Sequence, residues 1–191
     1  MPVRMGPAQA KQAKATPARP GQPLTPRIPV PFTVRDAVRT DIADIMRLKL
    51  ELAISDGIEH TVRATAADWE RDAFGRDPRF TIFVADCGGR VIGIAICADR
   101  YFPGWVGATI ILLDFCVEQR FRGMGVGTAL LARVAAYAKS RDSVMVELTM
   151  RADNRAASLY ARAGFSEVPQ IRNYVLAGTA LENLAAADTA N

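Results

Sequence analysis

The chain has 191 residues, of which 50% are hydrophobic and 23% charged, enough for one α/β domain with its own core. No apolar run approaches the roughly 20 residues of a membrane span, so a membrane partner is not expected. The formal charge is +4, from 24 basic against 20 acidic residues, but it is unevenly spread.

Residues 1–31 hold eight of the eleven prolines and five basic residues (Arg4, Lys11, Lys14, Arg19, Arg27) without an acid. Such a stretch buries too little apolar surface to offset its ordering entropy, and it reads as a disordered tail. It has no apolar h-region, so a secretory signal is not expected. A solvated tail, a nucleic-acid arm and a transit segment are its three readings, and the prolines fit an amphipathic transit helix poorly. Without the tail the balance is 19 basic to 20 acidic, so nucleic acid is not an expected partner of the folded part.

"FTVRDA" (32–37) reads as a short strand. Ile42, Ile45, Met46, Leu48 and Leu52 then recur as one face of a helix that starts near Asp41. "TAADWERDAFG" (65–75) is a second helix, with Thr65 as its N-cap and Gly75 as its stop. Two β-rich runs flank Gly88-Gly89, the signal of a hairpin. "ATIILLDFCV" (108–117) is a buried strand, and a helix over 126–140 follows it. "SVMVELTM" (143–150) is another strand. "NRAASLYARAG" (154–164) is a short helix with Asn154 at its capping position and Gly164 at its end, and "RNYVLA" (172–177) is a last strand. The end is either a loose tail or a short helix. The order predicts a mixed sheet with helices on both faces, in one domain over 32–177, flanked by tails 1–31 and 178–191.

Between the strand 108–117 and the helix 126–140 lies "EQRFRGMGVGT". A strand, glycines and then a helix form an anion site. The first helical N–H groups have no partner inside the helix and carry its positive pole. Glycine removes the Cβ that would hold a phosphate away. Arg120 and Arg122 add forked donors, and Thr128 adds a hydroxyl in the first turn. No Lys follows as in a Walker loop, and position 128 is Thr where a dinucleotide fingerprint needs its third Gly. The pattern present is R-x-x-G-x-G at Arg122, Gly125 and Gly127. A glycine turn used only for tight packing is the competing reading.

That motif after a strand, with "NRAASLYARAGF" some thirty residues on, resembles the GCN5-related N-acetyltransferases over about residues 32–177. "WERDAFGRDPRFTIFVAD", "DRYFPGWVGATIILLDFCV" and "FRGMGVG" resemble the diamine (spermidine/spermine-type) branch. The resemblance implies a mixed, mostly antiparallel sheet and acetyl-CoA as co-substrate. It implies that Arg122, Gly123, Met124, Gly125, Val126 and Gly127 hold the pyrophosphate. It also implies that the strand at Phe115, Cys116 and Val117 splays from its neighbour and pairs with the pantetheine arm. A homodimer is expected on the same ground.

Acetyl transfer to an amine needs a neutral amine, a polarised carbonyl and a protonated leaving thiolate. An alkylamine has a pKa of about 10.4, so a base or a desolvating site must remove its proton. The Val117 N–H suits the carbonyl oxygen. By the resemblance Tyr160 protonates the sulfur; otherwise it is an aromatic packed beside Leu159 and Phe165. Asn154 either contacts the cofactor or only caps its helix. Polyamine-acetylating relatives carry a glutamate where this chain has Leu113, which leaves Asp114, Glu147 or a water relay as base. The loop 55–64 supplies Asp56, Glu59 and His60 as an acceptor wall, and "YFPGW" (101–105) supplies aromatics that either line it or pack on the core. The acceptor is a diamine, polyamine or amino acid, or else a protein amine. A CoA-binding regulatory module without turnover is the reading outside the enzymes.

Three cysteines, Cys87, Cys97 and Cys116, have no C-x-x-C spacing, and His60 is the only histidine. No metal is expected, and reduced thiols suit the cytoplasm. Cys116 is either the nucleophile of an acetyl-enzyme route or a structural residue of a buried strand.

Overall fold

The computed structural model describes residues 31–102 and 107–188. The predicted tail 1–31 lies outside them but for Pro31, as do positions 103–105 of the aromatic stretch and residues 189–191. The elements are β1 (Thr33–Asp36), α1 (Ile42–Asp56), α2 (Ala66–Phe74), β2 (Thr81–Cys87), β3 (Arg90–Phe102), β4 (Gly107–Val117), α3 (Val126–Ser140), β5 (Val146–Leu148), α4 (Ala157–Arg162) and α5 (Thr179–Asp188). The sheet runs β1-β2-β3-β4-β5. Its first four strands are antiparallel, and β5 joins β4 in parallel. Among the described residues no helix is long and apolar enough to cross a membrane.

Side chains alternate across each strand, so a sheet covered on both faces needs apolar residues at consecutive positions. Residues 82–85 of β2 do this. Phe83 and Ala85 pack with Leu130 and Val134 of α3, while Ile82 and Val84 pack with Ile45 and Leu48 of α1 and Trp69 of α2. Each fully buried Ile or Leu contributes about 1.5–3 kcal/mol relative to exposure. Thr65 caps α2 as the sequence predicts, its hydroxyl accepting the Asp68 N–H at 3.3 Å.

The β3–β4 register slips once, since Ile96 faces Asp114 but Cys97 faces Leu112. Leu113 is therefore a bulged residue without a partner opposite, and it is 48% exposed. The bulge turns Leu112 into the α3-side core, while Cys116 lies in the α1-side core.

Three expectations are corrected. The strand 143–150 pairs with β4 only over Val146–Leu148. The helix 154–164 is regular only over Ala157–Arg162, because Asn154 and Ala156 form tighter turns. No strand forms over 172–177, where Tyr174 is 85% and Val175 80% exposed. A strand needs a partner backbone and a face to bury, and that segment has neither here. Of the two readings of the end, the helix is the one observed, as α5.

The start of α1 is tied to β1 and β2 by one charged network. Asp41 is 7% exposed and accepts from Arg35 at 2.7 and 2.9 Å and from the Val38 N–H at 2.8 Å. Arg35 also donates to Asp86 at 2.7 Å. The Arg35 hydrogen bond, against burial and with help from Val38, holds the Asp41 carboxyl below its ordinary range. Because the folded value is depressed, this stabilisation is present above the unfolded pKa of about 4 and is lost as pH falls through the folded value. We expect Asp41→Asn to cost about 1–3 kcal/mol near neutral pH. In urea unfolding, its deficit against the native protein should shrink as the pH is taken below about 4.

Candidate active site

β4 sheds its parallel neighbour. Its pairing with β5 runs from Ile110↔Val146 only to Leu112↔Leu148. The Glu118 N–H bonds across to the Ile92 carbonyl at 2.9 Å. Backbone alternation then turns Cys116 to the same side, and the N–H and C=O groups of Phe115 and Val117 to the vacated edge. The Val117 carbonyl accepts from Arg122 Nε at 2.9 Å. This edge opens on a cleft of about 890 Å³, walled by β4, the end of α1, the start of α3 and the segment that carries α4.

The glycines of the turn do two different jobs. Gly123 and Gly125 have φ of +79° and +86°, and a Cβ at either would meet nothing within 4 Å. They are needed for left-handed backbone, and they leave open space in front of it. Gly127 is needed for packing, since a Cβ there would lie 3.0 Å from Leu159 Cδ2 and 3.6 Å from the Phe115 ring. The first helical bond of α3 is Ala129 N–H to the Gly125 carbonyl. The N–H groups of Val126, Gly127 and Thr128 thus have no acceptor within the helix, and no side chain caps them. Arg122, Gly123, Gly125, Gly127 and Thr128 all line the cleft.

Other predicted cofactor residues lie elsewhere. The Val126 side chain is in the α3-side core, and Met124 does not line the cleft. Arg120 is held away by Glu118, at 2.5 Å, and lies over the Phe121 ring. Glu118 is buried and also takes Arg90 at 3.0 Å and Arg47 at 3.3 Å. Burial opposes its charge, but the Arg90 bond and the three arginine charges still hold its carboxyl below the ordinary range.

Tyr160 lines the cleft with its ring against Phe115 and Phe165. The ring packs as core, as the second sequence reading has it, and the hydroxyl is left available. That hydroxyl bonds to no described residue and is not sealed from solvent. Burial pushes its pKa above 10, so it keeps its proton across the physiological range. Asn154 also lines the cleft, but its Oδ1 accepts the Ala156 N–H at 2.8 Å, so it shapes the turn before α4.

The two predicted bases are not in the cleft. Asp114 is ion-paired with Lys49 of α1, and Glu147 pairs with Arg100 at 3.0 Å. Neither lines the cavity. Of the proposed acceptor wall, Asp56 does line it, while Glu59 and His60 do not. The other acid of the lining, Asp153, is paired with Arg151 at 3.1 Å. Sequence reasoning missed the cations Arg151, Arg155 and Arg162, which share the wall with Ser158. The spacing of Arg155, Ser158 and Arg162, one helix face, was the available signal.

An open strand edge, a donor-rich turn and an unpartnered phenol around one cleft define an acyltransferase scaffold. The chain belongs to the acetyltransferase (GNAT) family, whose profile matches residues 44–165, more than half of its length. It is 33% identical over 114 residues to a human spermidine/spermine N(1)-acetyltransferase-like protein 1, a match covering 56% of this chain but only 16% of that relative. It is 28% identical to the mouse thialysine N-epsilon-acetyltransferase over 164 residues, which span 80% of this chain and 96% of the relative. Among solved structures, the aminoglycoside N-acetyltransferase AAC(6')-Iy in complex with CoA superposes with a TM-score of 0.62 at 21% identity, over 80% of this chain and 98% of that one.

Cys116 lines the cleft, but burial, with the nearby charges of Glu51 and Asp114 adding and those of Arg122 and Arg47 opposing, pushes its thiol up to about 11. Near neutral pH such a thiol stays protonated, which makes it a poor nucleophile. We expect iodoacetamide to leave Cys116 unmodified in the folded protein at that pH, read by peptide mass spectrometry. Rapid alkylation would revive an acetyl-enzyme route.

Proposed function

We propose that residues 32–177 transfer the acetyl group of acetyl-CoA to a primary amine of a small molecule, with 1–31 and 178–191 as flanks. The observation that carries this reading is the convergence of the open β4 edge, the glycine turn and the Tyr160 hydroxyl on one cleft. The residues present fit a CoA pyrophosphate. Gly123 and Gly125 leave room for it, the first N–H groups of α3 point their positive pole at it, and Arg122 stands beside them. Arg151, Arg155 and Arg162 give the same wall further positive charge. The unpaired β4 edge suits an extended amide-bearing arm, as a strand edge suits another strand. The relative solved with CoA supports the same co-substrate.

Acetyl-CoA supplies an activated thioester; the chain supplies its handling. The Val117 N–H, on the vacated edge, is placed to stabilise negative charge on a carbonyl oxygen. Tyr160 holds a proton at its hydroxyl and delivers it to the departing sulfur. With its pKa pushed above 10 the phenol is neutral and still holds its proton near pH 7, and the phenolate left by delivering it would be reprotonated by the proton that the amine releases through water. Among the described residues Asp56 is the cleft carboxylate without a hydrogen-bonded partner, and it takes the place of Asp114 and Glu147 as anchor of the incoming ammonium, with water carrying its proton away. The relatives named for spermidine/spermine and thialysine support a small-molecule amine as acceptor. The three cysteines are free thiols, which accords with a cytoplasmic setting. The assembly expected on this reading is a homodimer, to be measured by sedimentation.

The test is acetyl-CoA turnover over a panel of amines, read by mass spectrometry. Tyr160→Phe should lower kcat about 100-fold and leave the KM for acetyl-CoA unchanged. Arg122→Ala should raise that KM about tenfold. The native rate should climb from about pH 6 to 9 as the amine deprotonates, without a fall from Tyr160 in that window. Tight CoA binding with no acetylated amine would replace this reading by a regulatory module.

A further inference from the structure

We infer that Lys49 and Asp114 together hold the head group of an α-amino acid, so that the preferred acceptor is lysine-like rather than a diamine or polyamine. The inference rests on the acetyltransferase reading above and assigns its substrate class.

Asp114 sits immediately after the bulge at Leu113, two residues before Cys116, which lines the cleft. Its carboxylate is ion-paired with the Lys49 ammonium, and the two side chains stay 20% and 28% exposed. An ammonium has three N–H donors, and only one is used here; the second Asp114 oxygen also has no described partner. The pair therefore offers free donors beside a free acceptor. That is the complement of an α-carboxylate beside an α-ammonium. It is a poor seat for the second ammonium of a diamine, because Asp114 is already neutralised and Lys49 repels a cation.

Helical periodicity connects the pair to the cleft. Lys49, Leu52 and Asp56 fall on one stripe of α1. Leu52 and Asp56 line the cleft, and Lys49 borders an adjoining-face groove of about 460 Å³ with Met46, Val62 and Trp69. Asp114 to Cys116 is two strand residues, roughly 6.6 Å. A lysine-like side chain spans roughly 6 Å from Cα to its terminal nitrogen, five bonds of about 1.5 Å in zigzag. With its head on Lys49 and Asp114, such an acceptor sets its terminal amine level with Cys116, beside the open β4 edge. The exposed apolar Leu113 leaves the head's recognition to the pair.

The test compares kcat/KM for thialysine, cadaverine and 6-aminohexanoate, which remove the α-carboxylate or the α-amine in turn. The native protein should favour thialysine over cadaverine by roughly 10- to 100-fold. Lys49→Met should abolish that preference through KM, with cadaverine unchanged or improved, and Lys49→Arg should retain it. Asp114→Asn should weaken thialysine but not 6-aminohexanoate. Turnover of cadaverine or spermidine equal to thialysine in the native protein, or an equal loss for all amines in Lys49→Met with Lys49→Arg active, overturns the inference alone. No turnover of any amine, with CoA still bound, overturns the acetyltransferase reading and this inference with it.

Discussion

The architecture of the site follows from one break in backbone pairing. β4 is paired on both sides as far as Leu112 and on one side beyond it. A buried strand edge with unpaired N–H and C=O groups is costly, so such an edge persists only where something else satisfies it. Here Arg122 reaches back to the Val117 carbonyl, and the rest of the edge faces the cleft. The same divergence makes the space: α1 closes it from one face of the sheet, and the starts of α3 and α4 from the other. Had β5 continued alongside β4 to Val117, there would be a longer sheet and no cleft.

The glycine turn is the second consequence. At the end of the unpaired edge the chain must turn into α3 within a few residues, and two left-handed positions accomplish this. Because those positions face open space, the turn leaves helix-terminal donors uncovered. Gly127 then lets Leu159 and Phe115 close against the first turn of α3, which fixes α4 and with it Tyr160. Backbone geometry, the uncovered helix-terminal donors and the placement of the phenol are thus one linked arrangement. A bulky residue at 127 would press on Leu159 and Phe115 and so disturb the placement of the phenol.

Much of this was legible in the sequence because it is local. The Gly88-Gly89 hairpin, the Thr65 cap and the R-x-x-G-x-G turn each declare themselves within a few residues. The bulge at Leu113 was not legible, since a register slip depends on which residues of β3 lie opposite, and that is a property of pairing. The 172–177 segment has strand-forming residues, yet strand propensity expresses itself only where an edge and a buried face are available. Arg120 looked equivalent to Arg122, but the carboxylate that diverts it, Glu118, also collects Arg47 and Arg90 from distant parts of the chain.

The acids follow a common logic. Isolated charges at half-buried positions are unfavourable, and the fold answers by pairing Asp114 with Lys49 and Glu147 with Arg100, while Asp153, whose side chain is 73% exposed, meets Arg151 at the surface. Pairing removes a carboxylate from service as a base or as a lone anchor for cations, and the two acids that sequence spacing favoured, Asp114 and Glu147, are both paired and outside the cleft lining. Asp56, the last residue of α1, is half-buried in the cleft lining, where no described residue hydrogen-bonds it and the charge of Arg151 lies close enough to act on it. The charge pattern that results is one cleft-lining carboxylate with no hydrogen bond to a described residue, and an Asp114 set against a lysine outside that lining.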